Sequence, residues 1–311
     1  MTASNPRESS DSALDAFRGD RVYLGADHVR NERRTWLVAA ICVGALVLQV
    51  GGGLAFNSMA LVAGGLHMAA HVAALVVAAA AYGLARRYAA DPRFSFGTGK
   101  LGYLAAFGNA VVLGGAAVAV LVESLHRLIT PEHVGYEEAL PLAAAALAIN
   151  ILCAWLLRPG AVRHSHDEAG DLNLSVAHFH LAADAAVSVL AIAGLAAGRL
   201  LGWTWADPLA GLLGAGLIAH FAINLLRRAG AVLLDMNPSP ELAAQIRTRL
   251  EREDERVIDL HLWRLGPGHH AAIVVLAVRS PQSAEAYRSR LAGLLGLSHL
   301  TIEVRQEPFP R

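Results

Sequence analysis

The chain has 311 residues, of which 55% are hydrophobic and 17% charged, and its mean hydropathy is +0.42. Because a typical soluble domain is about 25% charged, this composition argues against a soluble protein and indicates membrane spans. The formal net charge of +0 gives no sign of a nucleic-acid partner, and we expect none. The two cysteines, Cys42 and Cys153, lie in apolar runs and are predicted to be small core residues.

Residues 1–35 are predicted to form a cytoplasmic N-terminal tail, since the first part contains Ser, Asp and Arg with little periodicity. No short apolar segment precedes a small-residue cleavage site, so we expect no cleaved signal peptide. Residues 36–235 are predicted to form a transport domain of six transmembrane helices. Its apolar runs, each near the roughly twenty residues that cross the hydrocarbon core, are 36–56, 60–84, 101–121, 140–157, 174–197 and 209–226.

Arginine and lysine residues predict the orientation of these helices. They concentrate before the first run, between the second and third, between the fourth and fifth, and after the sixth. The opposite loops hold only Arg127 and Arg199. The positive-inside rule therefore places both termini in the cytoplasm. We expect a multi-pass protein of the plasma (inner) membrane, with the lipid bilayer as its surroundings.

Residues 236–311 differ in character and are predicted to form a small cytoplasmic α+β domain in the order αββαβ. An amphipathic pattern indicates each helix, and alternation of apolar and polar residues indicates each strand. A domain of about 70 residues is marginal in size, which favours dimerisation. The predicted elements are helix 241–253, strand 257–263, a turn at Gly266-Pro267-Gly268, strand 271–278, helix 283–295 and strand 299–304.

Two pairs of potential metal ligands lie inside the second and fifth apolar runs. His67 and His71 are four residues apart, as are His180 and Asp184, and residues at this spacing share one face of a helix. Ionisable residues inside membrane spans are rare and functional by default. At a rise of 1.5 Å per residue both pairs lie about 9–17 Å from opposite membrane faces, near mid-depth. Together they offer the four ligands of a tetrahedral transition-metal site.

The composition of this set suits exchange of metal for protons. Three neutral imidazoles and one carboxylate balance one of the two charges of a divalent cation. Metal binding must release protons from its ligands, and a histidine with a pKa of about 6.5 readily takes them back. The sequence therefore predicts a proton-coupled metal exporter.

A membrane metalloenzyme or metal sensor that uses the same ligands remains the alternative. Met68 stands where the zinc-protease motif has Glu, so that motif offers no general base. Membrane di-iron oxygenases need more His clusters than we find. A single His in a span often only hydrogen-bonds a neighbour, and the presence of two pairs argues against that interpretation here.

Secondary metal positions are left open. His164 and His166 form either a cytoplasmic loading site or part of a solvated loop. In the C-terminal domain, four further residues either bind a regulatory metal or are simply solvated: His261, His269, His270 and Glu307. No organic cofactor is expected.

From about Trp36 to its end, the chain resembles the cation diffusion facilitators. Each motif alone is weakly specific, but together they are highly specific. The motifs are Asn57 to His71 as the signature of the first two spans, Phe94-Ser-Phe-Gly-Thr-Gly-Lys100 before the third, His180-Leu-Ala-Ala-Asp184-Ala-Ala-Val-Ser188 in the fifth, Asp207-Pro208 at the sixth, and Asp259-Leu-His-Leu-Trp263 in the C-terminal domain.

The resemblance implies a Y-shaped homodimer that exports divalent metal ions in exchange for protons. It implies a transport site made by His67, His71, His180 and Asp184. It further implies that Lys100 and Asp235 pair where the membrane and soluble parts meet, locking the dimer. The soluble part would have a metallochaperone-like, ferredoxin-related fold.

The chain departs from most of the family at His71, where Asp is usual. A nitrogen-richer site suits Co²⁺, Ni²⁺ or Zn²⁺ over Mn²⁺ or Mg²⁺. The pattern is most similar to the divalent metal efflux branch associated with cobalt and nickel. That branch often has a longer His-rich loop than His164-Ser-His166-Asp167. The family's metal-binding positions in the soluble domain look apolar here, at Ile258 and Val275.

Overall fold

Among the residues that the computed structural model describes, six long helices precede a small α+β unit. The structure describes residues 23, 28–55, 59–130, 135–157 and 172–306, and describes only the backbone for residues 49–50, 52–55, 59–71, 138 and 172–184. The long helices are α1 (His28–Ala55), α2 (Met59–Arg87), α3 (Leu101–Ile129), α4 (Tyr136–Leu156), α5 (Leu172–Leu201) and α6 (Ala206–Leu233).

Each predicted apolar run coincides with one of these helices. Within the described residues, three helical stretches are long and apolar enough to cross a bilayer: α3, residues 139–156 of α4, and α6. A chain with several membrane-length helices is therefore confirmed. The count of six membrane spans stays a prediction.

Helix α1 begins at His28 rather than near Trp36, because its first turns bury polar side chains against α2. Arg86 donates two hydrogen bonds to the buried Glu32, from Nε to Oε2 at 3.1 Å and from Nη2 to Oε1 at 3.0 Å. Nε2 of His28 lies 3.0 Å from the backbone oxygen of Tyr82. These contacts satisfy polar groups that would otherwise favour a solvated tail.

Two apolar clusters hold the helical unit together. Leu113 and Ala117 of α3 pack against Ile218 and Ala222 of α6, with Val187 of α5 alongside. Small residues at such positions let helix backbones approach closely. The second cluster joins α1, α2 and α4, and its buried members are Val38, Ala39, Cys42, Leu75, Cys153 and Leu157. The prediction that both cysteines are small core residues is confirmed.

The αββαβ order predicted for the C-terminal part is confirmed. Strand β1 pairs antiparallel with β2, and β2 pairs parallel with β3, so the sheet order follows the chain. Ser239 and Ser283 cap the two helices by accepting hydrogen bonds from backbone N–H groups. The elements are α7 (Pro240–Leu250), β1 (Glu255–Gly266), β2 (His269–Val278), α8 (Ala284–Arg290) and β3 (Leu297–Gln306).

One face of this sheet carries the core and a buried ion pair. Side chains of α7 and α8 such as Ile246 and Tyr287 pack on strand residues such as Leu276. At the start of β1, Glu255 accepts hydrogen bonds from both terminal nitrogens of Arg290. This pairing holds the pKa of the Glu255 carboxyl below its usual value.

The segment 87–99 belongs to the same compact unit as residues 235–306 and Tyr23. The Phe96 ring meets the Trp263 ring edge-on, with centroids 5.5 Å apart. A Cβ on Gly99 would lie 2.8 Å from the Cα of Gly266, so only glycine permits this approach. The predicted domain limits, 36–235 and 236–311, place this segment in the membrane domain. Tyr23, in the predicted tail, is buried beside Trp263.

Candidate metal site

The four predicted ligands lie at equivalent positions in two helices. His67 and His71 follow the first residue of α2 by eight and twelve residues, and His180 and Asp184 follow the first residue of α5 by the same numbers. The helices have 29 and 30 residues. His71 and Asp184 therefore lie within about 4 Å, along the axis, of the helix midpoints. The depth of the two pairs in a membrane stays a prediction.

The side chains of these four residues lie outside the described part of the structure. Helical backbone runs through all four positions. The helix places residues at this spacing on a shared face. Their convergence on one ion stays a prediction.

Helix α2 is held in place within one turn of His71. Asn109 of α3 donates its side-chain amide to the backbone oxygen of Ala74 at 3.2 Å. Leu75 is buried in the cluster with α1 and α4, and Val72 packs against the same cluster. These contacts restrict rotation and sliding of the helix that carries His67 and His71.

Helix α5 packs closely against α6 in the segment that follows Asp184. A Cβ added to Gly214 would lie 3.2 Å from Val187, so the α6 backbone is in direct contact with this side chain. Two turns further on, Gly194 leaves equally little room beside Ala210. The close approach favours glycine at both positions and restricts α5 in the segment after the predicted ligands.

A cavity of about 400 Å³ lies between α3, α5 and α6. From α5 it is lined by Val187 and Ala191, three and seven residues after Asp184. Its lining is mostly apolar, with four polar side chains. Nε of Arg127 lies 2.7 Å from Oε1 of Glu123 across one turn of α3. The polar lining residues are Glu123, Ser124, Arg127 and Asp207.

Sequence reasoning did not identify this cavity. The sequence feature that could have pointed to it is the opposite-charge pair Glu123 and Arg127, four residues apart on an otherwise apolar helix. The other half of the lining comes from α5 and α6, which no local pattern links to α3. The cavity therefore had to be found in three dimensions.

The secondary candidates have separate partners. Nε2 of His261 lies 2.9 Å from Oδ2 of Asp259, and Nδ1 of His269 lies 2.7 Å from Oγ of Ser298. His270 is buried, close to Gly296. Among the residues that the structure describes, no three His, Cys, Asp or Glu side chains come together. His164, His166 and Glu307 lie outside the described residues.

The proposed interlock residues occupy the ends of helices. Lys100 immediately precedes α3, and Asp235 follows α6 with a φ of 55°. Left-handed backbone is common just after a helix and is tolerated by Asp better than by most residues. The two residues belong to different compact units, and their pairing stays a prediction.

Comparison with known proteins identifies the helical part. Residues 35–234 match the family model described as the cation efflux transmembrane domain. A Shigella flexneri zinc transporter, ZitB, is 30% identical over 90% of each chain. A Bacillus velezensis cadmium, cobalt and zinc/H⁺-K⁺ antiporter is 27% identical over 88% of each chain. The Cupriavidus metallidurans metal cation efflux system protein CzcD is 28% identical over 92% of each chain.

Proposed function

Since the chain belongs to the cation efflux family, the cation diffusion facilitators, we propose that it exports divalent transition-metal ions from the cytoplasm in exchange for protons. The match of the transmembrane domain over residues 35–234 carries this proposal, because that region contains both ligand pairs. Transporters with zinc, cadmium or cobalt in their names are similar over almost the whole chain.

The proposed substrates are Co²⁺, Ni²⁺ and Zn²⁺, bound by His67, His71, His180 and Asp184. Three imidazole nitrogens and one carboxylate oxygen form a borderline-soft donor set that suits these ions over Mn²⁺. Cobalt and zinc also occur in the names of relatives. Nickel rests on the resemblance of the His71 pattern alone.

The cavity between α3, α5 and α6 supplies the release side of the proposed pathway. Its α5 lining begins one turn beyond Asp184, in the direction that the predicted orientation places outside the cell. The carboxylates of Glu123 and Asp207 provide hard oxygen donors for an ion that has left nitrogen ligands. Arg127 keeps the net charge of this group low and so disfavours permanent retention of the ion.

Export fits the observations better than the alternative of a metalloenzyme or sensor. The family match and the relatives are those of transporters. Two ligand pairs near the midpoints of two helices of 29 and 30 residues suit alternating access from either side. An enzyme or sensor would have no need for a cavity with two carboxylates beyond the ligands.

The test is metal uptake into proteoliposomes, scored for chains whose cytoplasmic side faces outward. Co²⁺, Ni²⁺, Zn²⁺ and Mn²⁺ are compared with and without an acid interior. We expect gradient-dependent uptake of Co²⁺, Ni²⁺ and Zn²⁺ above Mn²⁺, with matching release of protons. Protein-free vesicles provide the baseline. Metal binding without uptake would refute export and favour the sensor or enzyme.

A further inference from the structure

Cys42 of α1 and Cys153 of α4 form a buried thiol pair between two helices. Their sulfur atoms are 3.7 Å apart, and the residues are only 1% and 0% exposed. The chain has two cysteines, so this pair contains every thiol of the protein. Neither residue belongs to the predicted transport site.

The separation of the sulfur atoms fits two ligands of one metal ion. A disulfide requires about 2.05 Å between them, so the helices would have to close by about 1.7 Å. Two thiolates 3.7 Å apart, each about 2.3 Å from a common ion, subtend an angle of about 107° at that ion. This value is close to the tetrahedral angle, so the sulfur atoms already have the separation of two ligands of one ion.

The apolar surroundings of the thiol pair favour a divalent ion over a monovalent one. Val38, Leu75 and Leu157 pack around the pair with other apolar side chains, and a net charge in such an environment is costly. Two thiolates fully neutralise a divalent cation, whereas a monovalent cation would leave one negative charge. Thiolates are soft ligands and select soft metals.

We propose that Cys42 and Cys153 form a second cation site that binds a soft divalent metal ion, with Cd²⁺ as its representative. The ion replaces two thiol protons, which leave to solvent, so that no net charge enters the cluster. The buried Asn150 lies one turn before Cys153 on α4 and is a candidate for a third ligand. This site differs from the nitrogen-rich transport site in its ligand chemistry.

A bound ion would connect α1 directly to α4. The two helices meet at the apolar cluster, and a metal–thiolate bridge adds a bond that resists their separation. Transport that requires these helices to move apart would therefore slow when the site is occupied. The site itself does not depend on the proposed function.

The test is Cd²⁺ titration of the purified full-length protein in detergent, followed by the ultraviolet absorption of cadmium–thiolate bonds and by proton release. We expect one ion per chain with a thiolate signal. Cys42→Ser and Cys153→Ser should each weaken the affinity at least about tenfold, since even outer-shell partners are worth that much to a metal site. Ala39→Ser, in the same cluster, serves as the matched control and should bind normally.

The same titration in an Asp184→Ala background separates this proposal from the transport proposal. Thiolate binding that persists there, while uptake is lost, supports two independent sites. Cys42→Ala and Cys153→Ala repeat the test with apolar replacements, in case a buried hydroxyl disturbs folding. The proposal is refuted if wild type shows no thiolate signal, if a single-cysteine variant binds Cd²⁺ equally well, or if the thiols form a disulfide instead of binding the ion.

Discussion

The side-chain amide of Asn109 in α3 donates a 3.2 Å hydrogen bond to the backbone oxygen of Ala74 in α2. Ala74 lies three residues after His71, so this bond fixes α2 within one helical turn of the proposed transport ligands. The acceptor is a backbone group, and the bond therefore positions the helix and not a single side chain.

Asn109→Ala should reduce the transport rate without removing metal binding. Interhelical hydrogen bonds in membranes contribute about 0.6 kcal/mol on average. We therefore expect the transport rate to fall about threefold. Asn224→Ala is the matched control, because the Asn224 amide contacts His220 on its own helix. Equal rates for the two variants in proteoliposomes would contradict the positioning role.

Asp184→Ala should reduce metal uptake to the level of protein-free vesicles while the protein remains folded. The change removes the one carboxylate of the proposed set, so three neutral imidazoles would face an unbalanced divalent cation. His220→Ala, at an exposed position of α6, controls for loss of a metal-binding side chain elsewhere. Retained uptake in a folded Asp184→Ala protein would reject the ligand assignment.

His71→Asp should shift selectivity from cobalt and nickel toward zinc. The variant replaces a nitrogen donor with oxygen and adds a negative charge to the site. We expect the zinc-to-cobalt uptake ratio to rise about tenfold, equivalent to about 1.4 kcal/mol of differential binding. Competition uptake with both metals measures this ratio, and an unchanged ratio would exclude His71 from selection.

Asp207→Asn tests whether the cavity between α3, α5 and α6 is the release side of the transport pathway. The variant keeps the size of the side chain but removes a carboxylate from the cavity. We expect the maximum transport rate to fall about five- to tenfold, which corresponds to a barrier increase of about 1–1.4 kcal/mol. The metal concentration that half-saturates transport from the cytoplasmic side should not change. Asp91→Asn, in the loop between α2 and α3, is the control. An unaltered maximum rate would remove the cavity from the pathway.

Glu255→Gln should lower the free energy of unfolding of the C-terminal unit by about 3 kcal/mol, because it leaves the largely buried Arg290 guanidinium without its anion. The lowered pKa of Glu255 makes this contribution complete above about pH 4.5, and it is lost as the pH falls through the folded-state pKa. The difference between wild type and variant should therefore shrink in acid.

This difference can be measured in denaturant through Trp263 fluorescence, in a full-length chain whose other tryptophans are replaced by Phe. Glu253→Gln, at an exposed position in the turn that precedes β1, supplies the control. A variant difference that stays constant down to acid pH would contradict the assigned ion pair.

Local patterns predicted the order of elements well and their ends less well. Apolar runs and strand alternation identified all six long helices and the αββαβ order. Helix α8 ends at Arg290 instead of continuing to 295, because Gly293 adopts a φ of 80°, which a helix does not accommodate. The start of α1 was placed too late, since Glu32 and Thr35 are polar but buried.

Spacing also predicted which residues carry the site chemistry, but not their surroundings. The His and Asp pairs are visible as i and i+4 repeats. The Asn109 bond, the cavity and the thiol pair each join residues far apart in the chain, and their partners follow from helix packing. The polar composition of segment 87–99 likewise gave no sign that Phe96 packs against Trp263.

The shared packing of segment 87–99 and the C-terminal strands has a consequence for building hybrid proteins. The chain passes between the compact units four times, between Tyr23 and His28 and at 86–87, 99–100 and 234–235. A chimera joined only after Leu234 would combine this chain's Phe96 and Gly99 with the residues that a relative has in place of Trp263 and Gly266. Functional recombination between family members therefore needs four junctions, so that Tyr23 and the loop travel with the strands they contact.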